Sequence, residues 1–368
     1  MTRVVLAPDS FKGTITAADA ARALADGWAS VEPGAEFMHR PMADGGEGTV
    51  AAFEAAVAGS RRIPVTVDGP AGVPVDTFWL LLPPTDDAPN GTAVVDLGST
   101  SGIELLDGLR PWDADTFGFG QAIAAALDHG VSRLVLGLGS SASTDGGTGM
   151  LAALGARFLD AAGAPVARGA RGLERIAAVD LSALRPAPPV RVLTDVTNPL
   201  TGPRGAAAVF GPQKGLVAAA DSARVDDGLA RLAELLGLDA ALPGAGAAGG
   251  TGGALVVWGG VLAPGAAEVA ALIGLADAIA DADVVITGEG SYDGQSGDGK
   301  VPSFLASLAA DAGARAMLAA GRITADSDTS LFAASASLTD LAGSSAAALA
   351  EPAQWLRAAG ATLARAAG

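Results

Sequence analysis

The chain has 368 residues, half of them apolar, and a formal net charge of −17. That length exceeds what one hydrophobic core usually supports, so we expect two domains, and the acidic balance argues against nucleic acid or an anionic membrane as a partner. The absence of cysteine excludes disulfides, thiolate nucleophiles and zinc–sulfur sites, and the presence of only two histidines argues against a serine hydrolase or a His-rich metal site.

The apolar stretches are too short for export or membrane insertion. The N-terminal run of four apolar residues ends at Pro8 and Asp9, which is far short of a signal peptide. The longest apolar run, residues 252–267, is interrupted by glycine and proline and falls below about 18 residues. We therefore expect a cytoplasmic protein.

Both ends of the chain alternate apolar runs with helical patterns. Thr16, with Asp19 three residues later, predicts a capped helix after the first run. The apolar runs lie at residues 3–7, 36–42, 283–287, 314–321 and 330–337. Together they predict one doubly wound parallel sheet.

The middle of the chain has a different texture. Residues 61–82 alternate apolar and polar side chains around a Gly-Pro turn, which predicts an antiparallel pair. Further predicted strands lie at residues 92–97, 133–139 and 190–195. The alanine-rich C-terminus, residues 344–368, carries Leu349, Trp355 and Leu363 in a helical pattern and predicts one docked helix.

Five segments combine glycine with charge, and four of them directly follow a predicted strand. They are residues 7–13, 41–49, 137–149, 194–215 and 287–302. Ligands of open α/β sheets bind at the carboxyl ends of the strands, so we expect these segments to converge on one site. The last of them, TGEGSYDGQSGDGKVP, is predicted to be a loop.

Lysine and carboxylate usage points to the same segments. All three lysines of the chain, Lys12, Lys214 and Lys300, lie in them beside a glycine. A compact ammonium suits a phosphate or carboxylate ligand, although three surface lysines near turns are the plain alternative. Carboxylates at predicted strand ends are Asp9, Asp44, Glu47, Asp145, Asp195, Glu289 and Asp293. Lysines, magnesium carboxylates and glycine-rich backbone are the parts that phosphoryl transfer requires.

Common nucleotide fingerprints are missing from the sequence. It has no P-loop motif and no protein-kinase signature. A G-x-G-x-x-G pattern at Gly244, Gly246 and Gly249 does not follow a predicted strand. A dinucleotide site is therefore rejected there, and a phosphate loop or a tight turn stays open.

Several long motifs resemble the bacterial glycerate kinase family, which is unrelated to protein kinases. They are APDSFKGTITA, PMADGGEGT, DVTNPLTGPRGAAAVFGPQKG, PGAGAAGG and ITGEGSYDGQS followed by GK and proline. The resemblance implies phosphorylation of D-glycerate with ATP and Mg²⁺, commonly to 2-phosphoglycerate. It also implies two α/β domains with the active site in the cleft between them: a flavodoxin-like domain built from residues 1–60 and 282–368, and an inserted mixed α/β domain of residues 61–281.

Roles follow from the resemblance and the strand-end positions. We expect Asp195 to orient or deprotonate the substrate hydroxyl, and Lys12 to contact the substrate carboxylate or the transferred phosphoryl group. Substrate-binding candidates are Asp44, Glu47, Asn198, Glu289, Asp293 and Lys300. Nucleotide-binding candidates are Ser141, Thr144, Asp145, Gly146, Gly147, Arg204 and Lys214. Metal-ligand candidates are Asp44 and Asp195, although Asp44 and Glu47 also fit the start of a helix.

The chain departs from the family pattern at four positions. Ser291 stands where the family usually has arginine, so a cationic contact is either missing or supplied by another residue. Thr197 replaces an aspartate, Ser140 a commoner glycine and Thr144 an asparagine. Two alternatives therefore stay open: a non-catalytic sensor of an acidic sugar metabolite, and a kinase for another small hydroxy acid.

Overall fold

A computed structural model describes residues 1–11, 13–46, 48–293 and 301–368. The predicted site residues Lys12, Glu47 and Lys300 lie outside the described residues. The chain divides into two compact units: unit 1 comprises Met1–Asp44, Ala51–Ala58 and Gly265–Gly368, and unit 2 comprises Gly45–Val50 and Gly59–Pro264. Among the described helices, none is long and apolar enough to cross a bilayer.

The strands of the described chain are, in order, β1 (Arg3–Pro8), β2 (Glu36–His39), β3 (Arg61–Asp68), β4 (Pro74–Leu82), β5 (Thr92–Asp96), β6 (Arg133–Gly137), β7 (Arg157–Leu159), β8 (Ala178–Asp180), β9 (Val190–Leu193), β10 (Val261–Ala263), β11 (Val284–Tyr292), β12 (Arg315–Ile323) and β13 (Ala334–Ser337).

The α-helices are α1 (Ala17–Ala29), α2 (Thr49–Ala56), α3 (Gly98–Ser101), α4 (Phe117–His129), α5 (Thr148–Ala153), α6 (Ala170–Leu173), α7 (Ala206–Phe210), α8 (Ala219–Leu236), α9 (Thr251–Val257), α10 (Gly265–Leu272), α11 (Leu275–Ala280), α12 (Val301–Asp311), α13 (Leu338–Ala342), α14 (Ser345–Ala350) and α15 (Pro352–Ala367). Short 3₁₀ turns lie at Ile103–Leu105, Pro212–Lys214 and Ala247–Gly250.

Unit 1 is built on a five-stranded parallel sheet in the order β13-β12-β11-β1-β2. Counted within the unit, this is the 2-1-3-4-5 order of flavodoxin-like folds. One face carries a core in which Leu24 and Trp28 of α1 and Leu363 of α15 pack on Leu6 and Ile286. The predicted doubly wound parallel sheet is confirmed. The predicted N-cap is also present, because the Thr16 side chain accepts a hydrogen bond from the amide of Asp19.

β11 is longer than the sequence predicted. It runs through Gly288 to Tyr292 alongside β12, in residues that were expected to form a loop. Glycine permits this extension, since a Cβ at Gly288 would lie 2.1 Å from the Ala319 carbonyl oxygen. The strand ends in a buried Tyr292, whose hydroxyl donates to the Asp328 carbonyl at 3.0 Å. Residues 294–300 of the predicted loop lie outside the described chain.

The C-terminal segment forms two helices rather than the predicted single one. α14 ends at Ala350, and α15 begins at Pro352, which has no amide hydrogen to continue the first helix. Leu349 is 62% exposed, whereas Leu363 is fully buried. The helical periodicity therefore describes α15, the helix that docks on α1.

Unit 2 contains a six-stranded sheet in the order β10-β9-β6-β5-β4-β3 and a small β7–β8 hairpin. β10, β9, β6 and β5 are parallel, and β4 and β3 are added antiparallel. The antiparallel pair and the three further strands predicted for this part of the chain are all present. Its core includes Trp79, Phe119, Leu134, Leu229 and Leu255.

The unit boundaries differ from the predicted ones. Residues 45–50 and 59–60, expected in the flavodoxin-like domain, belong to unit 2. Residues 265–281 were expected in the inserted domain, but α10 and α11 pack against α12 and belong to unit 1. Their alanine-rich sequence gives no signal of which core they cover.

Candidate active site

A cavity of about 520 Å³ opens in unit 1 at the carboxyl ends of β1, β11 and β12. It lies where the strand order reverses between β1 and its neighbours, which is the usual ligand position in this fold. Its polar lining includes Asp9, Ser10, Asp44, Glu289, Ser291 and Arg322, and its apolar side includes Phe11, Leu338, Leu349 and Pro352. The segment before Asp44 is held beside β1 by a hydrogen bond from the Met42 amide to the Pro8 carbonyl at 2.9 Å.

The acidic wall of this cavity is fixed by backbone contacts. Asp9 is 7% exposed; its amide donates to the Gly288 carbonyl at 2.8 Å, and its carboxylate accepts the Ser10 amide at 2.6 Å. The Ser10 hydroxyl is buried and has no hydrogen-bond partner in the described part of the chain. A buried hydroxyl without a partner is costly, so it suits a ligand contact. Asp44 and Glu289 line the same cavity, whereas Asp293 follows β11 outside its lining.

Sequence reasoning missed Ser10 and Arg322. Arg322 lies on β12 directly beside Ser291 of β11, and its guanidinium donates to the Ser291 hydroxyl at 3.5 Å. Ser10 could have been predicted from the sequence, because it follows Asp9 in the glycine-rich, charged segment of residues 7–13. Arg322 was not, since only the register of β11 and β12 brings it to the cavity.

A second cavity, of about 400 Å³, lies in unit 2 beyond the carboxyl ends of β6 and β9. Its lining includes Gly139, Ser140, Ser141, Val196, Gln213, Lys214, Ala248 and Gly249. Two of the predicted nucleotide-binding residues, Ser141 and Lys214, are therefore brought together here.

Lys214 is the central cation of the second cavity. It is 3% exposed, and its ammonium donates to the Ser141 hydroxyl at 2.6 Å and to the Ser143 carbonyl at 2.5 Å. Burial lowers the pKa of Lys214 to about 8, and the nearby negative charge of Asp145 opposes this shift. The two hydrogen bonds fix the position of the ammonium, and the lowered pKa means that it loses its proton near pH 8.

The backbone beside Lys214 is strained. Ser140 and Ala248 have φ values of 53° and 51°, and no other non-glycine residue of the described chain has positive φ. The amides of Gly139, Ser140 and Ser141 donate no hydrogen bond within the described residues. Successive amides around a left-handed residue form an anion-binding nest, and strain of this kind clusters at ligand sites.

The remaining residues of the predicted phosphate loop hold the loop rather than line the cavity. Asp145 is fully buried and accepts hydrogen bonds from Ser143, Thr116, Gly147 and Gly149 at 2.8 to 3.1 Å. The Gly146 amide donates to the Gly249 carbonyl at 3.0 Å. These donors are already used within the protein. The hydroxyl of Thr144 is buried without a partner in the described chain.

The glycine-rich stretch of residues 243–253 makes a tight turn at residues 247–250 and forms part of the wall of the second cavity. A Cβ at Gly249 would lie 2.1 Å from the Ser143 carbonyl oxygen, and a Cβ at Gly250 would lie 2.8 Å from Gly146 Cα. Only glycine lets this turn approach the loop of residues 139–147 so closely.

Asp195 lies two residues beyond β9 and is exposed, between the buried Thr194 and the half-buried Val196. The backbone around it is fixed, because the Val196 amide donates to the Thr194 hydroxyl at 3.2 Å. Asn198 accepts the Gly246 amide through its carbonyl at 3.0 Å and donates its side-chain amide to the Arg204 carbonyl at 2.8 Å. Asn198 therefore ties two loops together. The Arg204 side chain is exposed.

The described side chains do not form a complete metal cage by themselves. Within the described residues, no group of three or more His, Cys, Asp or Glu side chains could hold a metal ion without help. Mg²⁺ is commonly bound by one or two carboxylates together with substrate phosphates, so a complete protein cage is not needed. Asp44, in unit 1, and Asp195, in unit 2, remain candidate ligands on that basis.

Comparison with known proteins gives a consistent result. The chain matches the model of the glycerate kinase family over residues 4–368. The glycerate kinase of Bacillus subtilis (strain 168) is 40% identical over 340 residues, covering 89% of this chain and 86% of that protein. The glycerate 2-kinase of Escherichia coli (strain K12) is 39% identical over 318 residues, covering 83% and 82%. A crystal structure described as "putative glycerate kinase 2" from Salmonella typhimurium LT2 matches with a TM-score of 0.85 and 38% identity, covering 99% of this chain and 97% of the other. The resemblance inferred from the sequence motifs is confirmed.

Proposed function

Because the chain belongs to the glycerate kinase family, we propose that it transfers the γ-phosphoryl group of ATP to a hydroxyl of D-glycerate and yields 2-phosphoglycerate. The observation that carries this proposal is that the family match extends over residues 4–368 and so spans the residues that line both cavities. The polar linings of the two cavities suit the two substrates.

The unit 1 cavity is the proposed glycerate site. Asp44 and Glu289 accept hydrogen bonds from the substrate hydroxyls, and the Ser10 hydroxyl gains the partner it lacks within the described chain. Asp293 remains a candidate at the edge of this region. Lys12, Glu47 and Lys300 stay predictions from the sequence.

The unit 2 cavity is the proposed site for the nucleotide phosphates. Lys214 and the Ser141 hydroxyl face the phosphates, and the amides of residues 139–141 supply further donors. Asp145, Gly146 and Gly147 act through the loop that they hold, and Arg204 adds a surface cation. Preorganised donors of this kind stabilise developing charge without rearranging during the reaction.

Asp195 is the proposed acid–base group for the substrate hydroxyl, with Asn198 fixing its loop. Asp44 in unit 1 and Asp195 in unit 2 are each a proposed carboxylate ligand for Mg²⁺, which would neutralise phosphate charge when bound. Both side chains offer the hard oxygen ligands that this ion prefers.

The test is ADP formation from ATP and Mg²⁺ with and without D-glycerate. Phosphorus NMR of the product distinguishes 2-phosphoglycerate from 3-phosphoglycerate. D-glycerate-dependent ADP release supports the proposal. Glycerate binding without ADP would instead identify a sensor, and turnover only with other acids in a substrate panel would identify a kinase for a different hydroxy acid.

A further inference from the structure

The unit 1 cavity contains a charge imbalance. Its described lining contributes three carboxylates, from Asp9, Asp44 and Glu289, and one cation, Arg322. An anionic hydroxy acid would be repelled from such an acidic cavity unless a cation met its carboxylate. The net charge of the chain, −17, adds to this repulsion at long range, so the attraction for the carboxylate has to come from a cation within the cavity.

Arg322 is positioned on the acidic face of the sheet. Side chains alternate along a strand, so Glu289 and Ser291 point to one face of β11. Arg322 is the register partner of Ser291 in the parallel neighbour β12, which places its side chain on that same face. The side chains of Glu289, Ser291 and Arg322 thus lie on one face of the sheet and line the same cavity.

The guanidinium of Arg322 is not committed to a carboxylate. Its described contact is the hydrogen bond to the Ser291 hydroxyl, which at 3.5 Å is weak. Elsewhere, arginines such as Arg171 and Arg224 pair closely with carboxylates, at 2.6 and 2.7 Å. Arg322 has no carboxylate within 4.0 Å among the described residues. Its donors remain available to a ligand.

We infer that Arg322 binds the substrate carboxylate as a bidentate partner, and so supplies from β12 the cation that Ser291 does not supply from β11. This inference rests on the proposed function. A guanidinium presents two parallel donors that match a planar carboxylate. The contact with Ser291 shows that the Arg322 guanidinium lies beside β11.

The first test is Arg322→Ser. Loss of a charge-assisted contact should raise the KM and the Kd for D-glycerate by roughly 10- to 150-fold, with little change in the KM for ATP. The ratio of kcat/KM for D-glycerate over D-glyceramide, which lacks the carboxylate charge, should fall by a similar factor. Arg322→Lys should lie between wild type and Arg322→Ser, because it keeps the charge and loses the paired donors.

The decisive variant moves the cation across the strand pair. Ser291→Arg combined with Arg322→Ser returns a guanidinium to the same face, about 4.8 Å away in the neighbouring strand, and should recover much of the lost glycerate affinity. Arg22→Ser, an exposed arginine on α1, is the matched control and should leave both KM values unchanged. Melting curves identify any variant that fails to fold, and Arg322→Lys then carries the test.

Calorimetric binding of D-glycerate separates this inference from the proposed function. A wild-type protein that binds glycerate but releases no ADP overturns the kinase assignment and still allows Arg322 to be tested. An active wild type with an unchanged glycerate Kd and glyceramide ratio in Arg322→Ser overturns the inference alone.

Discussion

The burial of Lys214 should make nucleotide binding depend on pH, because burial lowers the pKa of its ammonium group. Its pKa, lowered by burial to about 8, means that the charge proposed to face the phosphates is lost as the pH rises through that value. We expect the KM for ATP to rise between about pH 7.5 and 9.5 and to approach the value of a variant without the charge. In Lys214→Met the KM should be high and flat over this window. Steady-state kinetics across pH measures both.

Loss of the Lys214 proton should raise the stability of the fold, whereas it should weaken ATP binding. The pKa of Lys214 is below its ordinary value of 10.5, so the buried ammonium destabilises the fold fully below about pH 8, by on the order of 3 kcal/mol. That cost disappears as the pH rises from about 8 to 10.5. In Lys214→Met this contribution to the free energy of unfolding should be absent. For the nucleotide prediction, a KM for ATP that still changes near pH 8 in Lys214→Met would mean that Lys214 is not part of the nucleotide site.

Lysine and arginine should not be interchangeable at this position. The ammonium fits between the Ser141 hydroxyl and the Ser143 carbonyl at 2.6 and 2.5 Å, and the bulkier planar guanidinium cannot take the same place. Lys214→Arg should therefore lower kcat/KM by at least about tenfold. The exposed Arg61→Lys is the control and should have no effect. The corresponding prediction for Lys12 and Lys300 rests on the sequence alone.

Ser140 stores strain that glycine would release. Its φ of 53° lies in the left-handed region, which costs a non-glycine residue about 1 to 2 kcal/mol. Glycine lowers that cost but gains freedom in the unfolded chain, worth about 0.4 to 1 kcal/mol in the other direction. We expect Ser140→Gly to raise the free energy of unfolding by up to about 1 kcal/mol, measured by urea denaturation. Ser335→Gly, in a strand with ordinary φ, should lower it.

Asp195 is the residue whose role can be tested most directly by turnover. If it orients or deprotonates the substrate hydroxyl, Asp195→Asn should lower kcat by about 100-fold or more. Binding of ATP in the absence of Mg²⁺ should be largely intact, since Asp195 is not part of the cavity that holds Lys214. Near-normal turnover in this variant would assign the acid–base role elsewhere.

At the scale of elements, apolar runs and turn chemistry predicted much of the fold. The five strands of unit 1 could be predicted because buried parallel strands are short apolar runs. The β3–β4 pair could be predicted because its apolar and polar residues alternate around a turn. The extension of β11 was not, because the residues from Gly288 to Tyr292 look like loop and become strand only beside β12. Arg322 escaped detection for the same reason. Strand register is a tertiary property that local sequence does not encode.

The helix pair α1–α15 depends on two glycines that the sequence did not single out. A Cβ at Gly360 would lie 2.2 Å from the Leu24 carbonyl oxygen, and one at Gly27 would lie 2.0 Å from the Arg357 carbonyl oxygen. Gly360→Ala gains about 1 kcal/mol of helix propensity but forces two backbones apart. Overpacking typically costs about 1 to 3 kcal/mol and more when backbone must move, so the clash should win.

The expected result is a clear drop in the free energy of unfolding of Gly360→Ala, measured by chemical denaturation. Gly34→Ala is a suitable control, because nothing lies within 4 Å of its added Cβ and its backbone is not left-handed. Equal stability of the two variants would mean that the helices separate without cost.

At the scale of the whole molecule, each unit carries a core of its own. The core of unit 2 is drawn entirely from residues between Ile63 and Leu262, and the core of unit 1 from the two chain ends. Unit 2 also keeps all six strands of its main sheet within residues 59–264. A continuous segment of that size can bury enough apolar surface to fold by itself.

We therefore expect residues 59–264, expressed alone, to unfold cooperatively on heating with a circular dichroism spectrum of mixed α/β type. Residues 1–58 form the matched control, because they contain only β1 and β2 of a five-strand sheet and lack the α15 partner of α1. They should show no cooperative transition, while the same segment linked to residues 265–368 should regain one. Failure of residues 59–264 to unfold cooperatively, with the linked unit 1 segments folded, would mean that the inserted unit needs contacts beyond its own core.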